Sequence, residues 1–322
     1  MSEKKTMKAA YITEFGGIDQ IKIGELPIPE PKPTEVQIAV HYGGVNPIDW
    51  KICDGQIKHM MRHEFPVILG WDVAGVISAI GQKVTHLKEG DEIFAYCKKR
   101  VIHDGSFADY ICLDAENVLL KPKKCSFAQA ACIPLSSLTA WQSLFDSVHL
   151  RPNERILIHA GAGGVGSFAI QFAKFSGAHV ITTASSSNHD FVKKLGADEV
   201  IDYSRENFAQ KIHALEPSGV DVVYDTVGGK TLAMSYECVK EGGRLVTIAG
   251  IVDQTLVRQH KLFADFVFVS PNAKELKRIA TMIDACEIVP PPIQEVPFDQ
   301  LSWALKKSYE GHIHGKLVIK IR

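Results

Sequence analysis

Residues 155–166, Arg-Ile-Leu-Ile-His-Ala-Gly-Ala-Gly-Gly-Val-Gly, constrain this chain more than any other stretch. Ile156 to Ile158 form a short apolar run suited to a buried parallel strand, and Gly161, Gly163 and Gly166 then fall at the G-x-G-x-x-G spacing. A helix is expected at once, because residues 164–175 put Val165, Phe168, Ala169 and Phe172 on one face. Strand, glycine turn and helix N-terminus in that order make a place to hold phosphate. Gly161 permits the tight turn, Gly163 lets a pyrophosphate approach the backbone, and Gly166 lets helix and strand pack closely, while free amides and the helix dipole favour an anion. Glycine-rich turns also occur as plain loops, so context has to decide. Here apolar runs follow at 179–183, 199–201, 220–224, 244–249 and 266–269, separated by segments of helical length. Six strands alternating with helices predict an α/β doubly wound parallel sheet.

At 322 residues the chain has room for two domains, each with a real core. A net charge of −1 gives no electrostatic case for nucleic acid or an anionic membrane surface. The seven cysteines are odd in number, scattered, and nowhere spaced C-x-x-C, which fits reduced thiols in a cytoplasmic protein. Glu3, Lys4 and Lys5 are followed by no apolar targeting segment, and no apolar run is long enough to cross a bilayer. From Met7 to about Lys121 short alternating stretches lie between Pro and Gly turn signals, which reads as antiparallel β structure in a small barrel-like domain. Pro27, Pro29, Pro31 and Pro33 belong on an edge or in a connection. Ser126 with Gln129 opens a capping-box helix, a second helical stretch covers 138–144, and the tail holds helices at 274–285 and near 298–309 and a strand at 316–321. The expected division is residues 1–125 with 270–322, and residues 126–269 between them.

Several unconnected pieces now fall in a familiar order. They are Gly44-Val-Asn-Pro-Ile-Asp-Trp-Lys51, Gly70-Trp-Asp-Val-Ala-Gly-Val-Ile77, Gly90-Asp91, Gly105-Ser-Phe-Ala-Asp-Tyr110, Ser137-Leu-Thr-Ala140, the loop 160–166, Gly242-Gly243-Arg244 and Gly315-Lys316. In these the chain resembles, nearly end to end, the zinc-free quinone-oxidoreductase branch of the medium-chain dehydrogenase/reductases, and most of all the chloroplast-type quinone and alkenal reductases. The resemblance implies a GroES-like, mainly β catalytic domain, a Rossmann domain, NADPH in the cleft between them, and hydride delivery to a quinone or an enal. Zinc relatives carry a catalytic Cys near the position of Asn46 and a His-Glu pair where this chain has Trp71-Asp72. Asn and Trp cannot replace thiolate and imidazole, and the four cysteines of the structural zinc lobe are missing, so no metal is expected. His59 and His63, four apart, could share a helical face but lack a third ligand.

About twenty residues beyond the loop, where an NAD site places a carboxylate, the chain reads Thr182-Thr-Ala-Ser-Ser-Ser-Asn188. Missing acid and available hydroxyls suit NADP(H), although Ser185 to Ser187 also read as a simple turn. Lys193, Lys194, Arg205 and Tyr203 are candidate partners of a 2′-phosphate, with Tyr203 favoured by family position. The cofactor-binding set is Thr139, from the family's Leu-Thr-Ala segment, with Gly161, Ala162, Gly163, Gly164, Val165, Gly166, Thr183, Ser185, Ser186, Tyr203, Ala249 and Gly250. Asn46 and Lys51 are the candidates to face the nicotinamide and the substrate carbonyl, and a plain surface lysine is the alternative for Lys51. Asp49 and Asp72 read as structural acids that bind backbone amides. The leading expectation is an NADPH-dependent reductase of quinones or α,β-unsaturated carbonyls. An enoyl-thioester reductase is the alternative within the class, and a cofactor-binding scaffold or nucleic-acid binder with little turnover the alternative outside it. Oligomeric state is left open, a homodimer included.

Overall fold

The structure is a computed structural model that describes residues 5–322; Glu3 and Lys4 of the N-terminal reading lie outside the described residues. The chain forms two compact units, one of residues 1–135, 271–285 and 290–322 and the other of residues 136–270 and 286–289.

In the first unit Val36, Ile38 and Val40 alternate along the strand Glu35–Gly44, pack with Val73, Ile77, Ile93 and Ile111, and are fully buried. That strand pairs antiparallel with Asp72–Ile80 on one side. On the other side it pairs with Lys316–Lys320 through residues 42–44 and with Tyr110–Asp114 through residues 35–39. The C-terminal strand thus lies beside Gly43 and Gly44, at the entrance of the helix Pro47–Cys53. Gly44 has no room for a side chain, since a Cβ there would strike the carbonyl of Ala131. The capping box at Ser126 forms: Gln129 N–H donates to Ser126 Oγ, and Ser126 N–H to Gln129 Oε1. Its short helix packs on strands Glu35–Gly44 and Asp72–Ile80, which carries the first unit on to Leu135, ten residues past the boundary expected at 125. The expected second helical stretch begins four residues early, at Pro134, and its last part, Gln142–Ser147, winds as a π-helical segment.

The second unit holds one six-stranded sheet with every adjacent pair parallel. Its order is Glu199–Ile201, His179–Thr183, Arg155–Ile158, Val220–Asp225, Val239–Thr247, Phe263–Phe266. Strand order reverses between Arg155–Ile158 and Val220–Asp225, the switch point at which a doubly wound sheet offers a crevice beyond its strand ends. The last strand lies three residues before the apolar run at 266–269. It pairs residue by residue with 244–247, and Val267 N–H continues the ladder, to Thr247 C=O. The helix Gly164–Phe175 spans the expected residues and buries Phe168, Ala169 and Phe172. Phe172 has no exposed surface, meets Trp141 edge to face at 5.3 Å and stacks on Phe168 at 5.9 Å. Truncating it removes these contacts and leaves a cavity, so Phe172→Ala should destabilise the nucleotide-binding unit by about 3–5 kcal/mol in urea unfolding. A change below about 1 kcal/mol would show that helix and sheet are not packed as described.

Candidate functional site

Two groups of residues carry chemistry, one in each unit. In the second, the glycine loop leaves the C-terminal end of strand Arg155–Ile158 and enters the helix at Gly164, with Gly163 as the N-cap. The left-handed residue is Ala160, at φ 51°, whereas Gly161 is not left-handed. The expected turn-making role of Gly161 is therefore corrected. It is needed for close approach instead, because a Cβ there would strike Thr182 Oγ1 and come within 2.8 Å of Ile170 Cδ1. Gly166 acts as expected, since a Cβ there would strike Ala160 C=O and sit 2.8 Å from Gly161 Cα. At Gly163 a Cβ meets nothing nearer than Ala160 C=O at 3.4 Å, so a side chain would fill open space beside the first-turn amides. The N–H groups of Gly164, Val165 and Gly166 have no acceptor within the helix. With the positive end of the helix dipole behind them, these donors fit the pyrophosphate of a dinucleotide.

The rest of the expected cofactor set gathers at the same, C-terminal edge of the sheet. Thr183 ends one strand, Ser185 and Ser186 follow it, Tyr203 follows Glu199–Ile201, and Ala249 and Gly250 follow Val239–Thr247. Thr183 is 3 % exposed, and its Oγ1 accepts the Ala160 N–H at 3.0 Å, so its hydroxyl holds the loop rather than facing outward. Ser185 does form the plain turn: its Oγ lies 3.2 Å from Ser187 Oγ and accepts from Asn188 Nδ2 at 3.0 Å. Ser186, Lys193, Lys194 and Arg205 are exposed, as is Tyr203 at 43 %. Thr139 is buried in the helix Pro134–Trp141, where its carbonyl accepts from the Tyr224 hydroxyl at 3.4 Å.

In the first unit the helix Pro47–Cys53 starts at Asn46, with Pro47 at its first position and the Asp49 carboxylate accepting Asn46 N–H at 2.8 Å. Asp49 also accepts Gly70 N–H at 3.1 Å, and Asp72 accepts Leu135 N–H at 2.7 Å, the amide-binding roles expected of both acids. Asn46 is 1 % exposed and its amide turns inward. Nδ2 donates to Asp72 Oδ2 at 2.8 Å, and Oδ1 accepts from Lys316 Nζ at 2.5 Å. The expectation that Asn46 faces a substrate is thus corrected, because both ends of its amide are already used. Lys316 Nζ also lies 3.4 Å from Asp72 Oδ2, making a buried ion pair with side chains 6 % and 0 % exposed. Burial pushes the Asp49 carboxyl up to about 7, against the Asn46 N–H and Lys316, and raises that of Asp72 against Lys316 and the Asn46 amide. Lys51 sits in the last turn, half-buried; its Nζ is 5.5 Å from the centre of the Trp50 ring, and burial lowers its pKa. His59 lies in a run of turns and His63 in the two-residue strand Arg62–His63, so the pair shares no helical face.

Comparison with known proteins decides the family. Residues 32–123 match the alcohol dehydrogenase GroES-like domain, and residues 164–276 match the zinc-binding dehydrogenase domain. The 2-methylene-furan-3-one reductase of Solanum lycopersicum is 35 % identical over 97 % of this chain and 79 % of its own. The chain belongs to the medium-chain dehydrogenase/reductases, in their quinone-oxidoreductase branch. The NADPH-dependent alkenal/one oxidoreductase of Arabidopsis thaliana is likewise 35 % identical, over 98 % of this chain and 80 % of its own. Among solved structures, the quinone oxidoreductase of Coxiella burnetii superposes with a TM-score of 0.89 at 33 % identity, covering 99 % of this chain and 100 % of that one.

Against this family background two residues stand out that the sequence reading missed. Lys316 stands in the sequence only as half of a Gly-Lys pair, and nothing in its neighbours shows that its ammonium is buried against Asn46, 270 positions away in sequence. Asp202 lies well beyond the position at which an NAD site places its acid. It follows the strand Glu199–Ile201, accepts from Ser204 Oγ at 2.6 Å, interacts with Ser186 and Arg205, and is held below the usual carboxylate range chiefly by Ser204. Removing the charge of Lys316 leaves Asp72 buried without its cation. Lys316→Met should cost about 3–5 kcal/mol of stability in chemical unfolding, and a cost within about 0.5 kcal/mol would mean that the ammonium is not buried as described.

Proposed function

We propose that this chain is an NADPH-dependent, zinc-independent reductase of quinones and α,β-unsaturated carbonyls. The observation that carries the reading is the open amide cradle of Gly164 to Gly166, beside the unobstructed Gly163, at the switch point of a parallel sheet, in a chain whose relatives include a reductase named for NADPH and alkenals. When bound, a nicotinamide cofactor supplies the hydride. The chain's own residues bind and orient it and stabilise the charge that hydride transfer creates. Gly164, Val165 and Gly166 donate to the pyrophosphate. Ser186, Tyr203, Lys193, Lys194 and Arg205 are the exposed candidates to contact a 2′-phosphate, and Arg205, 3.6 Å from Asp202, offsets that carboxylate.

Zinc independence is supported by the donor set. The Lys316 ammonium already lies against Asn46 Oδ1 and Asp72 Oδ2, so a second cation there would meet like charge. Six buried cysteine thiols support a reducing compartment such as the cytoplasm. Among the described residues no helix is long and apolar enough to cross a membrane.

Lys51 is the candidate to stabilise oxyanion charge. Its ammonium has no carboxylate within ion-pair distance among the described residues, and partial burial makes it a more ready proton donor than a solvated lysine. Lys51→Ala should lower kcat by roughly ten- to a thousandfold with folding intact. Because the active form is protonated and its pKa is lowered, wild-type kcat should fall as pH rises through a value below 10.5, and the variant should lack that limb. A rise in KM for NADPH with kcat unchanged would instead move Lys51 to cofactor binding.

The direct test follows NADPH absorbance against quinones, enals and enoyl thioesters. Turnover of the first two groups supports the proposal, turnover of enoyl thioesters alone would replace the substrate class, and no turnover would favour a binding protein. If two hydrogen bonds to the 2′-phosphate contribute about 1.5–3 kcal/mol each, NADPH should be preferred over NADH by roughly a hundredfold or more. Equal specificity constants would contradict that assignment.

A further inference from the structure

His159 stands between the first strand and the glycine loop, and its imidazole is 1 % exposed. Nδ1 lies 3.3 Å from Thr183 Oγ1, and Nε2 lies 3.0 Å from Ser235 Oγ. Burial holds the imidazole down at about 4, partly opposed by Asp225, so near neutral pH one proton serves two ring nitrogens. The partners fix where that proton sits. Ser235 Oγ–H donates to Thr231 C=O at 2.7 Å, which leaves the Ser235 oxygen as an acceptor toward Nε2. Nε2 therefore carries the proton, and Nδ1 accepts from the Thr183 hydroxyl. Thr183 Oγ1 in turn accepts Ala160 N–H at 3.0 Å. One directed chain results, from Ala160 N–H through Thr183 and His159 to Ser235 and the Thr231 carbonyl.

Its first member matters most. Ala160 is a non-glycine residue at φ 51°, a conformation that costs free energy unless its surroundings impose it. The Ala160 carbonyl accepts Gly163 N–H at 3.0 Å and is the atom against which Gly166 packs. The orientation of this one peptide therefore sets where the first-turn amides point.

We propose that His159 is a positioning residue for the dinucleotide: through Thr183 it holds Ala160 in its left-handed conformation and so aims the amides of Gly164 to Gly166 at the pyrophosphate. Thr183, expected from the sequence to touch the cofactor, acts through Ala160. The inference rests on the proposed nicotinamide-dependent function, and its test separates the two.

Binding of NADPH is measured by calorimetry for the wild type and for His159→Asn, His159→Gln, His159→Leu, Thr183→Ser and Thr183→Val. An Asn amide oxygen can take the place of Nδ1 and accept from Thr183, whereas a Gln amide reaches toward Ser235 and leaves Thr183 without an acceptor. His159→Gln, His159→Leu and Thr183→Val should weaken NADPH binding roughly ten- to a hundredfold. His159→Asn and Thr183→Ser should stay within about threefold, and kcat at saturating NADPH should change less than about twofold throughout. The ¹⁵N signals of the wild-type imidazole should show the Nε2–H tautomer. Unchanged affinity in His159→Gln and His159→Leu would overturn the proposal, and so would an equal loss in all five variants that tracks their melting temperatures, which would make the role merely structural. A wild type that binds no NADPH would overturn the functional reading itself, an outcome none of the variant results can imitate.

Discussion

The carbonyl of Ala160 is the point on which the nucleotide-binding unit turns. Gly166 closes on it with no room for a Cβ, Gly161 is pressed in the same way against Thr182 and Ile170, and together they let a helix abut the central strand at a distance no larger residue would permit. Close approach places the helix N-terminus at the C-terminal edge of the sheet, beside the switch point between strands Arg155–Ile158 and Val220–Asp225. The parallel order of six strands sends the loops after 183, 201 and 247 to the same edge. An anion site and its surroundings thus follow from one packing constraint together with the directionality of a parallel sheet.

The first unit depends on a different interaction. Burying Lys316, Asp72 and Asp49 costs desolvation energy, and a well-packed apolar cluster of equal volume would serve stability as well or better. The arrangement instead imposes geometry. Lys316 and Asp72 hold both ends of the Asn46 amide, Asp49 holds its backbone N–H, and the helix that begins there ends at Cys53 with Lys51 in its last turn. Lys316 arrives on the C-terminal strand, so the start of this helix is fixed by residues far apart in sequence.

What the sequence disclosed follows from how local each signal is. The glycine loop, its helix, the capping box at Ser126 and the parallel sheet depend on spacing within a few residues, and they were legible. The sixth strand runs three residues earlier than the apolar run 266–269 suggests, because Asp265 interrupts the apolar pattern of 263–266 and the edge position leaves Phe263 and Phe266 exposed. The inward turn of Asn46, the burial of Lys316 and the approach of Asp202 to Ser186 were illegible, because each depends on partners outside the local sequence window, up to 270 positions away. The role of His159 is invisible in the motif itself, since only the fold shows that Thr183 and Ser235 flank its two nitrogens. Such a reading finds where a cofactor sits more readily than what steers it.

The most direct measurement is a crystal structure of this chain with NADP⁺ bound. The account predicts pyrophosphate oxygens about 3 Å from the N–H groups of Gly164 to Gly166, the ordinary distance for a hydrogen bond to a charged acceptor, with Ala160 still left-handed. A dinucleotide whose pyrophosphate lies away from these amides, or a loop in which Ala160 has left that conformation, would contradict it.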